Sequence, residues 1–221
     1  MTNEEKLQLF EHQCRHSTYT LFAHETSIEL HDAFDRLGFY LFRSEYRQLL
    51  KEKGISSVAE ANSLELLKEL AEKVLSCVPE FQRDNDKWTS DMQESFIHNL
   101  LKGFKAPDII LYSLDGSNSN CFILDGLQRL TAVMRFLVLS DMKFPIGNGE
   151  FIESKLVTDA GFSFFGMRSS ALRIKVFHFK NELAAVDHYI EINENITHST
   201  DDIQRAKEYR AKLIESANAP Q

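Results

Sequence analysis

The chain has 221 residues, 43% of them hydrophobic, with 17 Phe but only 9 Gly and 4 Pro. That composition predicts a packed core in one domain, or one domain with an appendage, and excludes collagen-like and low-complexity chains. A net charge of −8 argues against non-specific coating of DNA, which draws on a basic excess, though not against a local basic site.

Apolar residues recur at helical spacing in LFEHQCRHSTYTLF and again in LHDAFDRLGFYLF, which predicts helix through roughly the first 75 residues. Gly54 after Lys51 and Lys53 reads as a helix stop. Ser57 with Glu60 reads as a capping box that opens a helix through about Leu75. From Val78 the pattern changes: VPEFQR is extended, with Pro79 blocking helix. Ser90 with Gln93 caps a helix to about Lys102, Gly103 ends it, and Pro107 begins a connection. IILYSL and CFIL are strands around the turn DGSNSN. After Asp125-Gly126 comes an apolar helix, LQRLTAVMRFLVL. Residues 145–170 read as irregular, LRIKVFHF as a third strand and NELAAVDHYIEINEN as a helix. Ser199 or Thr200 caps a last helix, DDIQRAKEYRAKLIES. The fold class is therefore α+β, since the order is mixed and not a run of βαβ units. We divide the chain into a helical N-terminal appendage, residues 1–75, and an α+β domain, residues 76–221.

The chemistry concentrates in FILDGLQRLTAV, residues 122–133. A strand ends, Asp125 and Gly126 turn, and a helix begins. Gly126 has no side chain, which lets an anion approach the backbone closely. The first helical N–H groups have no intrahelical acceptor, and the helix dipole adds partial positive charge, so the junction favours a phosphate. Arg129 in the first turn adds a bidentate clamp, and Gln128 offers an amide beside it. Asp125 supplies a carboxylate suited to orienting a metal-bound water or a hydroxyl. An ordinary strand–turn–helix connection uses the same residue types.

A second feature is the window 161–180, GFSFFGMRSSALRIKVFHFK, which lacks Asp and Glu. Arg168, Arg173, Lys175 and Lys180 are interleaved there with Phe residues, a mixture that suits a nucleic-acid surface, while alternation in LRIKVFHF equally describes a half-buried strand with a basic face. His12 and His16 are four apart around Cys14, a spacing that metal ligands share with solvated histidines. His178 reads as a packed strand residue with a catalytic base as the alternative, and His98, on the helix that ends near Lys102, is placed to reach the phosphate site though nothing in the sequence requires it. Trp88 suits base stacking or core packing. Cys14, Cys77 and Cys121 are too few and too scattered for a disulfide framework and read as thiols of a reducing compartment. No apolar run reaches the roughly 18 residues of a membrane span, and the acidic start MTNEEKLQLF is neither a signal nor a transit peptide. A cytoplasmic chain with no membrane partner is expected.

Asp125-Gly126-Leu127-Gln128-Arg129 resembles the D-G-Q-Q-R signature of the ParB/sulfiredoxin-like superfamily, and most closely the S half of the GmrSD-type family. VPEFQRDNDKW, residues 78–88, is similar to that family's I-P-x-[YF]-Q-R-x(n)-W box through Pro79, Phe81, Gln82, Arg83 and Trp88. YIEINENITHSTDDIQRA, residues 189–206, resembles a late IN-x-G-x-L-s segment, with Asn193 at the Asn position and its Gly missing. The resemblance spans about residues 75–210 in three ordered blocks. It implies a small ParB-like mixed-sheet domain whose D-G-x-x-R turn lines a nucleotide or phosphate site. By that resemblance Asp125, Gln128 and Arg129 are the catalytic candidates, and Gly126, Gln82, Arg83 and Arg129 the phosphate-binding ones. Arg168, Arg173 and Lys175 are the nucleic-acid candidates. No residue is assigned to hold a metal on its own; the expected cofactor is an NTP with Mg²⁺ or Mn²⁺.

Leu127 stands where the family has its first Gln, so one amide is lost, and its side chain is expected either to enter the core or to weaken catalysis. The C-terminal H-N-H-type nuclease half of the family is not expected in this sequence; a separately encoded partner could supply it. The leading expectation is NTP hydrolysis, coupled to DNA processing in restriction or anti-phage defence. The alternatives are a non-catalytic nucleotide-gated module that binds DNA or protein, and phosphoryl transfer to a small molecule or a DNA base. Residues 1–75 are expected to provide a protein-partner or homodimer surface.

Overall fold

The computed structural model describes residues 2, 4–6, 8, 22–61, 63–82, 87–161, 165–194 and 200–218. The first strand, β1, is Phe22–Glu29, followed by helices α1 (Ala33–Leu41), α2 (Arg43–Lys53), α3 (Val58–Ala61) and α4 (Leu64–Ser76). Helix α5 (Ser90–Leu101) leads to strands β2 (Ile109–Ser113) and β3 (Phe122–Asp125) and then to helix α6 (Leu127–Val138). A hairpin of β4 (Lys143–Gly147) and β5 (Glu150–Glu153) precedes α7 (Ser154–Ala160) and α8 (Phe165–Ser169). Strand β6 (Ala171–His178) and helices α9 (Glu182–Glu194) and α10 (Thr200–Asn218) complete the described chain.

The main sheet has the order β1-β6-β2-β3. β6 runs parallel to β2, while β1/β6 and β2/β3 are antiparallel, so the sheet is mixed and the fold α+β, as the element order predicted. Alternation along the strands feeds two cores. Ile28, Ile109, Leu111, Ile123, Ile174 and Val176 pack into the larger one, with the inward faces of α1, α4, α5 and α6. Tyr112, Leu124 and Phe179 pack into the smaller one, against Phe81, Tyr189 of α9 and Ala206 of α10. Each large aliphatic or aromatic side chain buried this way contributes about 1.5–3 kcal/mol.

Three sequence expectations are corrected. Residues 22–29, read as helix, form the edge strand β1, paired from Phe22↔Phe177 to Glu29↔Ala171. The segment 145–170, read as irregular, holds the β4–β5 hairpin and two short helices. Its turn is Asn148-Gly149, both at positive φ (52° and 78°), the pair that a two-residue hairpin turn requires. The caps also move. Glu60 accepts from the Ser56 N–H at 2.8 Å, but the long helix α4 is capped by Ser63, which accepts from the Leu66 N–H at 3.3 Å. Likewise Thr89, and not Ser90, caps α5 by accepting from the Met92 N–H. Gly54 (φ 67°) and Gly103 (φ 87°) end their helices as predicted. The larger core also continues across residue 75, since Ile28, Leu37 and Leu70 share it with Ile109 and Ile174.

Candidate phosphate site at a strand–turn–helix junction

Strand β3 ends at Asp125, Gly126 takes φ 100°, and α6 starts at Leu127. Only glycine adopts that φ without strain. A Cβ added at Gly126 would also meet Ile109 Cγ1 at 3.1 Å and Arg129 Nη2 at 3.2 Å. The glycine therefore lets the turn press against β2 and its own arginine, so here the absent side chain serves internal packing more directly than ligand approach.

Arg129 lies one turn into α6. Its Nη2 donates to Asp125 Oδ2 at 2.7 Å and to the Asp108 carbonyl at 3.0 Å, and its side chain is 15% exposed against 29% for Asp125. Its Nε is buried and has no hydrogen-bond partner among the described residues. Arg129 is thus pre-oriented by its own strand and helix. Gln82 is buried at 5% exposure; its Nε2 donates to the Leu124 carbonyl at 2.8 Å, and its Oε1 is buried without a partner among the described residues. Arg205, on α10, donates to the Gln82 carbonyl at 3.2 Å. Gln128 is 3% exposed, and its Oε1 accepts from the Trp88 N–H at 3.3 Å, so it ties Trp88 to α6 from inside. Leu127 is buried at 4% exposure and belongs to the larger core, the first of the two outcomes expected for that departure.

The three blocks singled out in the sequence meet here: Gln82 from the first reaches the carbonyl just before the Asp125 turn, and Arg205 from the third reaches Gln82. Arg83 lies outside the described residues, as do His12, Cys14 and His16. Asn193 is buried and donates to the Tyr189 carbonyl one turn back, so it serves its own helix.

Asp108, which the sequence reading did not single out, links this junction to the basic strand. While its carbonyl takes Arg129, its carboxylate pairs with Arg173 at 2.6 Å and Lys175 at 2.7 Å. Burial pushes the Asp108 carboxyl up, but the hydrogen bonds and charges of Lys175 and Arg173 outweigh it and hold the group below the usual carboxylate range. Lys175 of β6, Ile110 of β2 and Asp125 of β3 are register partners across the sheet. The two sites proposed separately from sequence are therefore one continuous charged face. Three cations, Arg129, Arg173 and Lys175, stand there with two carboxylates, Asp108 and Asp125. Arg168 falls within α8 and Lys180 follows β6. No sequence pattern marks Asp108 as more than the residue before a strand; the parallel pairing of β2 with β6 gives it its partners.

Other candidates read from sequence pack internally. Trp88 contacts Phe96 with ring centroids 5.3 Å apart, and His98 stacks on Phe144 at 5.6 Å. His178 Nε2 meets Asn118 Oδ1 at 3.1 Å. Burial pushes the Cys121 thiol up to about 12, so the reactive thiolate is scarce at neutral pH. Among the described residues no three His, Cys, Asp or Glu side chains are grouped to hold a metal ion. Magnesium that arrives with a nucleotide needs only one or two carboxylates beside phosphate oxygens, and Asp125 fits that donor set. No helix among the described residues is long and apolar enough to cross a membrane.

Fold and site together define an α+β chain whose charged sheet face ends in an arginine-bearing helix junction. Residues 64–220 match the family model described as GmrSD restriction endonuclease, N-terminal domain, and the chain belongs to that family. No curated protein and no solved structure matches it.

Proposed function

We propose that the Asp125–Arg129 junction binds the phosphates of a nucleotide, or of a nucleic acid, and that the chain hydrolyses an NTP in the processing of foreign or modified DNA. The family's description as a restriction endonuclease supports the DNA-processing part of this reading. The observation that carries the site is a chain of contacts that ties distant segments to the junction: Arg129 on both Asp125 and Asp108, Gln82 on Leu124 just before the turn, and Arg205 on Gln82. Among the described residues, the unpaired buried Nε of Arg129 and Oε1 of Gln82 lie in two of the four residues, Gly126, Gln82, Arg83 and Arg129, that the phosphate reading assigns to binding.

In this reading Arg129 stabilises charge that builds on the phosphate oxygens, in a partly buried setting where such an interaction is stronger than in water. The N–H groups opening α6 add oriented donors. Asp125 orients the attacking hydroxyl or water, with Arg129 fixing its carboxylate. A bound Mg²⁺ or Mn²⁺ supplies neutralisation of the phosphate charge. A second reading, binding without turnover, is favoured by one observation: Gln128, in the first turn of α6, is buried and accepts from the Trp88 backbone.

The test is phosphate release from each of the four NTPs with Mg²⁺ or Mn²⁺, with and without plain and modified DNA, for the wild type and Asp125→Asn. Turnover that falls at least about a hundredfold in the variant supports the hydrolytic reading. Retained nucleotide binding with no wild-type turnover moves the chain to the gated-module reading.

A further inference from the structure

We propose that the surface around Phe104 is a second site, which takes a nucleotide unit: the base lies against the Phe104 ring, and the phosphate sits between Lys105 and Arg173. This deepens the function proposed above and rests on its premise that the chain handles nucleotides or nucleic acid.

Phe104 is 64% exposed, a large apolar ring held outside both cores. It is mounted firmly. Gly103 turns at φ 87° and its N–H donates to the Leu100 carbonyl, while the Phe104 N–H donates to the Asn99 carbonyl at 3.1 Å. This pairing closes the C-terminus of α5 and fixes the backbone from which the ring projects. Two cavities of about 360 Å³ each flank the ring. Both fall in the range of small-ligand pockets, about 300–1,000 Å³.

The two cavities differ in chemistry. One is lined largely by apolar groups, among them Phe96, Leu100, Ala106 and Pro107, and suits the flat face of a base. The other carries the hydroxyl-bearing residues Ser27, Ser169 and Ser170 together with Arg173, and Lys105 borders both. Among the described residues no carboxylate lines either cavity, in a chain of net charge −8, although Asp108 pairs with Arg173 from outside them. Arg173 is 46% exposed while Asp108 holds it at 2.6 Å, so the guanidinium is oriented yet still faces solvent. An exposed aromatic ring beside cations is the arrangement that binds single strands, because every base offers a stacking face and every nucleotide a phosphate. The neighbouring cations Lys175 and Arg129, joined to Arg173 through Asp108, extend the positive side towards the junction.

The test uses the full chain and a fluorescently labelled fifteen-residue oligothymidylate, read by anisotropy, with the mononucleotide TMP as competitor. Phe104→Ala is expected to weaken oligonucleotide binding about five- to 150-fold, the range of one lost stacking contact, and Phe104→Trp to restore it. Lys105→Ala is expected to weaken binding and reduce the salt dependence by about one charge. Competition by TMP at concentrations near its own dissociation constant assigns the site to free nucleotides; competition only by longer strands assigns it to nucleic acid. Equal affinity of wild type and Phe104→Ala, with matching thermal melts, overturns the proposal. So does a wild type that binds neither probe. The junction is read separately through Arg129→Ala and NTP binding: loss there with no effect of Phe104→Ala on the oligonucleotide sinks this site and leaves the junction standing.

Discussion

Gly126 and Asp108 show how much of the candidate site is set by single residues. At Gly126 the backbone conformation (φ 100°) and the close approach of Ile109 and Arg129 both exclude a Cβ. Gly126→Ala is expected to cost about 1–3 kcal/mol of stability, measured by urea unfolding. Asp108 places a negative charge between Arg173 and Lys175, in the position a phosphate of a nucleic acid would favour. Asp108→Asn keeps the shape and removes the charge. Oligonucleotide affinity is expected to rise about two- to fivefold, the scale of a partly exposed ion pair, and unchanged or weaker binding would count against the cationic face. The D-G-x-x-R residues were legible in the sequence because their spacing has a mechanism, a tight turn that feeds a helix start. Asp108 and Arg205 were not: their importance comes from partners that only the sheet register and the packing of α10 supply.

At the scale of elements, β1 carries the clearest lesson. Its alternation was present, with His24, Thr26 and Ile28 on the half-buried side and Glu25, Ser27 and Glu29 exposed. The strong helical spacing of the following segment, LHDAFDRLGFYLF, drew the reading past it. Asn148-Gly149 between Phe144 and Ile152 was a second such signal, since a two-residue Asn-Gly turn flanked by apolar residues marks a hairpin. Elements with one dominant period, α5, α6, β6 and α9, were placed close to their observed bounds, while the helix expected from Ser57 to about Leu75 divides into α3 and α4. The consequence of β1 is measurable. Ile28 is 1% exposed and packs in the same core as Ile109 and Ile174, so Ile28→Ala is expected to destabilise the chain by about 2–5 kcal/mol in a single unfolding transition. An unfolding midpoint equal to wild type would show that the first residues form an appendage which does not support the sheet.

For the whole molecule, the mixed sheet is a wall between two cores, and the charged face lies where the smaller core gives way to Asp108, Arg173 and Lys175. Stability of this assembly is expected to fall in mild acid. Burial holds the His188 imidazole below its usual range, and burial with the nearby Lys102 charge does the same for His98. The unfolded chain takes up those protons near pH 6.5, before the folded chain does. Their contribution is therefore fully present above about pH 6.5 and declines as pH falls through the lower folded values. Melting temperatures at pH 7.5, 6.5 and 5.5 should drop at the acid end, and His188→Phe should flatten that slope. A melting temperature that rises on acidification would contradict the burial of these rings.

The contacts that link Gln82, Asp125, Arg129 and Arg205 around the start of α6 become a functional site if a phosphate binds there. The most direct measurement is calorimetric titration of each NTP, with Mg²⁺, into the wild type and into Arg129→Ala, with far-ultraviolet circular dichroism confirming that the variant is folded. Binding of at least one NTP to the wild type, weakened about tenfold or more in the variant, is the expected result, because a charge-assisted contact to phosphate is worth about 1.5–3 kcal/mol. Equal binding to both proteins, or no binding of any NTP to the wild type, would contradict a nucleotide-phosphate site at this junction.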